Sequence, residues 1–144
     1  MGRLQSVVDV HVVFQNSDGE RLFIKRANTG YKDGYYSLVA GHLEAGESIV
    51  ECAIREAYEE AGVEIEESEL VLRHVMRRDA EQNRVSFFLE CCKWKGTLKN
   101  MEPEKCSEFL WVQRSEIPQP TVEYVAYAIG QMDSGKVLSD FKIV

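Results

Sequence analysis

The sequence predicts an α+β fold or a mixed-sheet α/β sandwich, formed by a single domain over residues 1–144. Six short apolar segments separated by polar turn residues are typical of β-strands, and two longer segments have the apolar spacing of amphipathic helices. The chain of 144 residues is 44% hydrophobic and 28% charged, which is ordinary for a globular domain that can bury a core. No low-complexity segment, internal repeat or linker divides the sequence.

The first third of the chain predicts three strands. Residues 6–14 are rich in valine and form the first, and residues 22–25 form the second. The turn between them ends at Gly19, a residue that readily adopts positive φ, so the two strands are expected to form a hairpin. A third short strand covers residues 35–40 and leads directly into Gly41.

A helix is predicted for residues 48–61. Ser48 followed by Glu51 is the pattern of a capping box, in which each side chain bonds to the backbone of the other residue. Apolar residues then recur every three or four positions, which places them on one face of the helix. Gly62 follows the last of them, where a glycine commonly ends a helix.

The rest of the chain predicts three strands and a second helix. Two strands at residues 70–77 and 85–92 flank a polar turn at residues 79–83, and residues 109–112 form another short strand. Two prolines precede an amphipathic segment at residues 122–132, which predicts the second helix. This mixture of hairpin-like segments and two helices is the basis of the predicted fold class.

The charge of the chain is strongly uneven. The formal net charge is −7, but ten glutamates and one arginine lie between Glu44 and Glu69, which gives that segment a net charge of −9. An acidic chain argues against non-specific binding of nucleic acid, so a nucleic-acid partner is not expected. The acidic segment has two interpretations: a solvated helix face, or a site for hard divalent cations, which prefer carboxylate oxygens.

Targeting signals and membrane segments are not evident in the sequence. No apolar run approaches the roughly 18 residues that cross a membrane, and no secretory signal is visible at the N-terminus. The four cysteines show no zinc-binding spacing. We therefore expect a cytoplasmic protein with reduced thiols.

Three glutamates of the predicted helix share one face, because Glu56, Glu59 and Glu60 are spaced i, i+3 and i+4. Like charges at this spacing repel each other, so a cation is needed if they lie close together. Arg55 and Mg²⁺ are the two compensators that the chemistry favours. The preceding glycine-containing loop can bring a backbone carbonyl and a further glutamate to the same place.

At these residues the sequence resembles the Nudix hydrolases. Their motif is G-x5-E-x7-R-E-U-x-E-E-x-G-U, where U is a bulky aliphatic residue. One position departs from it, because Ala57 stands where the first bulky aliphatic residue is expected. The positions that fall in register are Gly41, Glu47, Arg55, Glu56, Glu59, Glu60, Gly62 and Val63.

The resemblance implies a β-sheet sandwiched between helices. It also implies a hydrolase that cleaves a nucleoside diphosphate linked to another moiety, with Mg²⁺ or Mn²⁺ as cofactor. Glu56 and Glu60 would be the principal metal ligands, and Glu59 a further ligand or the group that activates water. The carbonyl of Gly41 would complete the metal site. A bound metal ion neutralises an anionic pyrophosphate and lowers the pKa of a bound water, which suits this reaction.

The resemblance also assigns supporting and substrate-binding roles. Arg55 would orient the glutamates through charge-assisted hydrogen bonds, and Glu47 would assist metal binding or the geometry of loop and helix. Glu102 and Glu108 lie in the region from which some family members recruit an additional base or metal ligand. The residues expected to contact substrate are Arg26, His42, Glu44 and Glu108.

A group of arginines in the middle of the chain has two interpretations. It could form a phosphate-facing patch or an ordinary solvated surface. Because side chains alternate between the faces of a strand, these residues are not expected to share one face, and the solvated surface is favoured. The residues are Arg73, Arg77, Arg78 and Arg84.

The favoured function is Mg²⁺-dependent pyrophosphohydrolysis of a nucleoside triphosphate, which releases a nucleoside monophosphate and pyrophosphate. The alternatives are an ADP-ribose or nucleotide-sugar pyrophosphatase and a non-catalytic nucleotide-binding module. An RNA-end-processing enzyme would need a basic surface, which the net charge does not support. The expected partner is a small-molecule nucleotide and not a membrane, and a homodimer is left open.

Overall fold

A computed structural model describes residues 2–142 of the chain. Over that range the chain forms eight β-strands, two α-helices and a short 3-10 helix at Glu67–Glu69. The strands are β1 (Val7–Phe14), β2 (Glu20–Arg26), β3 (Tyr36–Ser37), β4 (Val39–His42), β5 (Leu70–Asp79), β6 (Asn83–Cys91), β7 (Cys106–Gln113) and β8 (Leu138–Lys142). The α-helices are α1 (Ile49–Ala61) and α2 (Glu123–Asp133).

The strands are divided between two sheets. The larger sheet has the order β4-β1-β6-β5-β8, in which β1 pairs with β6 and β5 pairs with β8 in parallel. Its other neighbours are antiparallel, so this sheet is mixed. The smaller sheet, β3-β2-β7, is antiparallel throughout. The predicted α+β fold with a mixed sheet is therefore confirmed.

The expected hairpin between the first two strands is wrong. β1 lies in the larger sheet and β2 in the smaller one, and an isolated bridge between Gln15 and Arg21 joins them next to the turn. Residues 9–14 of β1 are all buried, so this strand needs neighbours on both edges, and β4 and β6 provide them. The segment predicted as one strand at residues 35–40 likewise divides into β3 and β4, one in each sheet.

Helix α1 has the caps that the sequence predicts. The Ser48 hydroxyl accepts a hydrogen bond from the backbone of Glu51, and the Glu51 carboxylate accepts one from the backbone of Ser48. Gly62 ends the helix in the left-handed conformation, with φ of 69°. Ala53 and Ala57 are fully buried, and their small side chains allow the helix to lie close to the sheet.

Two apolar cores place the sheets between the helices. Alternate residues of β1 and β2 face opposite cores, because side chains alternate along a strand. Val12 and Leu22 pack in the core that includes α1, whereas Val13 and Phe23 pack in the core that includes α2. The expected sandwich of sheet between helices is thus present. Among the described residues, neither helix is long and apolar enough to span a membrane.

Strand β8 was not predicted, because residues 138–142 have a mixed polar sequence. It pairs in parallel with β5 at the edge of the larger sheet. His74 of β5 is fully buried and bonds to the Ser139 hydroxyl at 2.7 Å and to the Lys136 carbonyl at 2.9 Å. These contacts hold the returning chain on the sheet, and they depend on tertiary structure that the local sequence does not encode.

Candidate active site

The connection from β4 to α1 brings the glycine and the glutamates of the motif together. β4 ends at His42, and α1 packs against β4 so that Glu56 faces the backbone of Gly41. A Cβ atom added to Gly41 would overlap the carboxylate of Glu56. Glycine at this position leaves space for the Glu56 carboxylate, which a larger residue would displace.

Arg55 is the centre of a hydrogen-bonded carboxylate cluster. Its Nε and Nη2 atoms donate to the two carboxylate oxygens of Glu47 at 2.7 and 3.0 Å, in a bidentate geometry. Its Nη1 atom donates to Glu56 at 2.6 Å and to Glu59 at 3.2 Å. Nη2 also donates to the carbonyl of His42 at 3.1 Å. One guanidinium therefore holds three motif carboxylates and the end of β4.

Glu47 is held on several sides. Its hydrogen bonds with Arg55 lower its pKa to about 2, although burial acts in the opposite direction. The backbone N–H of Glu44 also donates to it at 3.1 Å. The hydrogen bonds that Arg55 donates to Glu47, Glu56 and Glu59 in turn raise the pKa of its guanidinium, and the bond to Glu47 has the largest effect. Glu47 therefore stays ionised and fixes the loop against the helix.

Glu60 has no arginine or lysine partner among the described residues, and only a backbone hydrogen bond at Ala40 lowers its pKa. Its Oε2 atom is buried and has no hydrogen-bond partner among the residues that the structure describes. Burial raises the pKa of Glu60 well above its ordinary value, and the nearby carboxylates of Glu56 and Glu102 raise it further. An ionised Glu60 is therefore unfavourable unless a cation is bound beside it.

The chemistry of this cluster fits a divalent cation. Glu56, Glu59 and Glu60 supply the oxygen ligands that Mg²⁺ and Mn²⁺ prefer, and Glu60 has an oxygen atom without a partner. Within residues 2–142, no three acidic, histidine or cysteine side chains are already arranged to hold an ion. Arg55 holds Glu56 and Glu59 instead, so a bound cation would have to replace some of its contacts.

Two neighbouring cavities form one cleft beside the cluster. The acidic cavity, of about 480 Å³, is lined among others by Glu56, Glu59, Glu60, Glu102 and Lys105. The arginine cavity, of about 540 Å³, is lined among others by Asp9, His11, Tyr31, Arg78, Arg84 and Tyr124. Arg26 and residues 40–42 line both, so the two cavities meet at the end of β4.

The structure brings two of the expected substrate residues to the cleft. Arg26 and His42 line both cavities. The guanidinium of Arg26 already donates to the Tyr31 carbonyl at 2.8 Å. Glu44 lines neither cavity, and its exposed carboxylate lies 3.6 Å from Arg55 Nε.

The two downstream glutamates have different environments. Glu102 lines the acidic cavity and is close enough to Glu60 to raise its pKa. Glu108 lines neither cavity, and its carboxylate accepts a hydrogen bond from the Tyr36 hydroxyl at 3.0 Å. Of this pair, the structure places Glu102 with the motif carboxylates.

The sequence analysis did not predict the polar cluster of Asp9, Arg78, Arg84 and Tyr124, which forms the floor of the arginine cavity. Asp9 Oδ2 accepts hydrogen bonds from Arg78 at 2.9 Å and from Arg84 at 3.4 Å. The Arg78 guanidinium lies 3.5 Å from the centroid of the Tyr124 ring, in cation–π contact. Arg84 also donates to the His42 ring at 3.2 Å, which connects this floor to the end of β4.

One signal in the sequence could have indicated this floor. Asp9 and His11 alternate with valines along β1, so two polar side chains lie on one face of a buried strand. Buried polar groups need partners, which predicts a polar site opposite them. The expectation of a solvated arginine surface is wrong for Arg78, which is only 6% exposed.

The comparisons with known proteins agree with the motif identified in the sequence. The NUDIX domain family model matches residues 5–129. The NAD-capped RNA hydrolase NudC of Photobacterium profundum is 28% identical over 90 residues, which are 61% of this chain and 32% of that protein. The curated relatives are matched over less than a third of their own length.

Solved structures share the fold at low sequence identity. The MutT NUDIX hydrolase of Burkholderia pseudomallei superposes with a TM-score of 0.80 at 23% identity, over 88% of this chain and 98% of that one. The NUDIX domain of Shewanella oneidensis NrtR, solved with ADP ribose, gives a TM-score of 0.72 at 16% identity, over 92% and 89% of the two chains. With the family model matching most of its length and this shared fold, the chain belongs to the NUDIX domain family.

Proposed function

We propose that this chain catalyses the divalent-metal-dependent hydrolysis of a nucleoside diphosphate linked to another moiety. The observation that carries the proposal is the buried Glu60 carboxylate, which has an oxygen without a partner and lies beside Glu56 at the edge of an open cleft. A metal ion and an anionic phosphate chain would together complete this site. Family membership and the hydrolase names of its relatives support the same activity.

The residues of the acidic cavity have distinct roles in this proposal. A bound Mg²⁺ or Mn²⁺ would neutralise the phosphates and lower the pKa of a water molecule. Glu56 and Glu60 would hold the ion against the carbonyl of Gly41, and Arg55 would keep the helix and loop in register. Glu59, whose side chain is 45% exposed and pairs with Arg55 at 3.2 Å, would accept a proton from the attacking water. The water oxygen would bond to phosphorus as the P–O–P bond breaks, so that each product carries one of the two phosphate groups.

A nucleoside triphosphate is the first candidate substrate, cleaved to a nucleoside monophosphate and pyrophosphate. The acidic cavity can take the phosphate chain, and the adjoining arginine cavity of about 540 Å³ has the volume of a small-molecule site. The solved neighbours include a MutT NUDIX hydrolase, which supports the fold required for this reaction.

ADP-ribose or a nucleotide sugar is the second candidate. The NUDIX domain of NrtR was solved with ADP ribose, and curated relatives are named NAD-capped RNA hydrolases. These ligands share with nucleoside triphosphates a nucleoside diphosphate linked to a second group. A cytoplasmic location and a homodimer stay predictions from the sequence.

A substrate panel tests the proposal. Nucleoside triphosphates, ADP-ribose, nucleotide sugars and dinucleoside polyphosphates are each incubated with the protein and Mg²⁺, and the products are separated by ion exchange. Glu60→Gln should abolish turnover, whereas Glu67→Gln, which changes an exposed glutamate outside the cleft, should not. The product pair identifies the cleaved bond. Turnover that survives Glu60→Gln would contradict the proposed site but not the hydrolysis. No turnover of any substrate would contradict the hydrolysis and favour a non-catalytic binding module.

A further inference from the structure

Lys105 is a cation of the acidic cavity without a carboxylate partner. It is exposed, and it lines the acidic cavity but not the arginine cavity. Within residues 2–142, no carboxylate oxygen lies within 4.0 Å of its Nζ atom. Arg26 also lines the acidic cavity, but its guanidinium donates to the Tyr31 carbonyl at 2.8 Å and to the Thr29 hydroxyl at 3.1 Å. Of these two cations, Lys105 is therefore the one whose charge is available to a ligand.

The backbone around Lys105 is fixed to the chain that follows β2. The N–H of Lys105 donates to the Glu102 carbonyl at 2.9 Å, which closes a tight turn. The N–H of Ala27 donates to the Lys105 carbonyl at 2.9 Å, and the Asn28 side chain donates to the Glu104 carbonyl at 2.9 Å. The lysine side chain thus starts from a fixed position, so binding a ligand restricts only the rotation of its own bonds.

The glutamates of the cavity do not account for this lysine. A lysine that balanced their charge would pair with one of them, and Lys105 forms no such pair within the described part of the chain. Glu60 Oε2 has no hydrogen-bond partner there either, and it lies in the same cavity of about 480 Å³. The cavity therefore keeps a carboxylate oxygen and an ammonium group apart. A phosphate with its metal ion suits this arrangement, because the metal contacts the carboxylate and the phosphate contacts the ammonium.

The position of Lys105 indicates which phosphate it can reach. Arg26 and residues 40–42 line both cavities, whereas Lys105 lines the acidic cavity alone. Its ligand therefore lies on the side of the acidic cavity that is not shared with the arginine cavity. A nucleoside triphosphate ends in a free, doubly charged phosphate, whereas ADP-ribose and nucleotide sugars end in an uncharged sugar. The ammonium group is a compact charge with three N–H donors, which favours the phosphate end over the sugar end.

We propose that Lys105 binds the terminal phosphate of the substrate, and that it selects a nucleoside triphosphate over a nucleoside diphosphate linked to a sugar. This assignment rests on the proposed function and decides between its two candidate substrates. Lys105 donates a charge-assisted hydrogen bond to a terminal phosphate oxygen, while the metal ion held by the motif glutamates contacts the same phosphate chain.

A titration with methylenediphosphonate tests the phosphate contact without hydrolysis, because its P–C–P bridge cannot be cleaved as a P–O–P bridge can. Binding is measured by calorimetry in the presence of Mg²⁺. Lys105→Gln should bind about tenfold or more weakly than the wild type, the scale of one hydrogen bond to a charged group. Lys99→Gln is the matched control, since Lys99 is an exposed lysine of the same β6–β7 connection and lines neither cavity. Equal binding by the two variants, or no binding by the wild type, would overturn the proposal.

The selection is tested by comparing two substrates in each protein. Lys105→Gln should lower kcat/KM for a nucleoside triphosphate, relative to kcat/KM for ADP-ribose, about tenfold, whereas Lys99→Gln should keep the wild-type ratio. A general loss of stability would lower both values together and leave the ratio unchanged. An unchanged ratio in Lys105→Gln would therefore overturn the proposal, as would turnover of ADP-ribose without turnover of any nucleoside triphosphate.

The two experiments separate this inference from the proposed function. If the diphosphonate binds through Lys105 but no substrate is turned over, the hydrolysis fails and the phosphate contact stands. If substrates are turned over but Lys105→Gln changes neither diphosphonate binding nor the substrate ratio, the hydrolysis stands and Lys105 has no part in it.

Discussion

The two cavities of the cleft use opposite charge arrangements. Beside the acidic cavity one arginine, Arg55, bonds to three carboxylates, and the buried Glu60 Oε2 has no hydrogen-bond partner among the described residues. In the arginine cavity one carboxylate, Asp9, bonds to two arginines and keeps one oxygen without a donor. Among the described residues, Glu60 therefore lacks a compensating positive charge, and one carboxylate oxygen of Asp9 lacks a hydrogen-bond donor. Under the proposed function, this difference favours the acidic side for a metal ion and the phosphates that it binds.

Glu60→Gln tests the acidic side and has the largest expected effect. The amide cannot act as an anionic metal ligand, so we expect kcat to fall at least about 100-fold, the scale of removing one stabilising group. The folded protein should lose little stability, because the change removes a buried carboxylate without a partner. Steady-state rates on the best substrate and thermal melts measure both quantities. A kcat within tenfold of the wild type would remove Glu60 from the metal site.

Gly41→Ala tests the close approach between β4 and α1. The added Cβ would displace the Glu56 carboxylate, so we expect kcat to fall roughly 10- to 100-fold, as expected when a stabilising group is misplaced. Stability should change little, since a side-chain end and not the backbone must move. Gly130→Ala in α2 is the matched control: its Cβ meets open space, and alanine favours a helix. Equal activity of both variants would show that Glu56 need not lie on Gly41.

The same contrast decides how much of the site could be predicted from the sequence. The acidic cluster comes mainly from one continuous segment, and helical spacing alone places Glu56, Glu59 and Glu60 on one face. The arginine cavity is assembled across the sheet: β1 and β6 align Asp9 with Ser86, and β5 and β6 align Arg78 with Arg84. No local pattern contains that register, because it depends on which strands become neighbours.

The fold shows the same division between local and distant information. The caps of α1 lie within a few residues of its ends, and the sequence predicts both of them. The partners of β1 are β4 and β6, the latter 77 residues further along the chain (Val7 pairs with Arg84), and not β2 across the first turn. Local turn chemistry favours a hairpin there, but pairing on both edges of a buried valine-rich strand is decided by the whole sheet.

His11 in the arginine cavity and Glu47 beside the acidic cavity should affect folding stability in different ranges of acidic pH. The pKa of His11 is lowered from 6.5 to about 4, so between these values the unfolded chain binds a proton that the folded chain does not. Stability is therefore lost as the pH falls from 6.5 toward 4. Glu47, lowered from 4.5 to about 2, adds a loss at lower pH. Urea unfolding across this range should show a loss of roughly 3 kcal/mol in the upper window that is absent in His11→Asn. An identical slope in the variant would exclude His11 as its source.

The smallest expected effect is stabilisation by the metal alone. Millimolar Mg²⁺ or Mn²⁺ should raise Tm by about 2–4 °C, which corresponds to about 1 kcal/mol in a domain of this size, because the ion binds the folded chain only. Glu60→Gln should abolish the shift, whereas Asp9→Asn should retain it, since Asp9 lies in the other cavity. Thermal melts of the three proteins with and without metal make the comparison. A shift that is lost in Asp9→Asn but kept in Glu60→Gln would reverse the assignment of the two cavities. Equal shifts in all three would place the ion outside the cleft, and Glu60 would then need another source of positive charge.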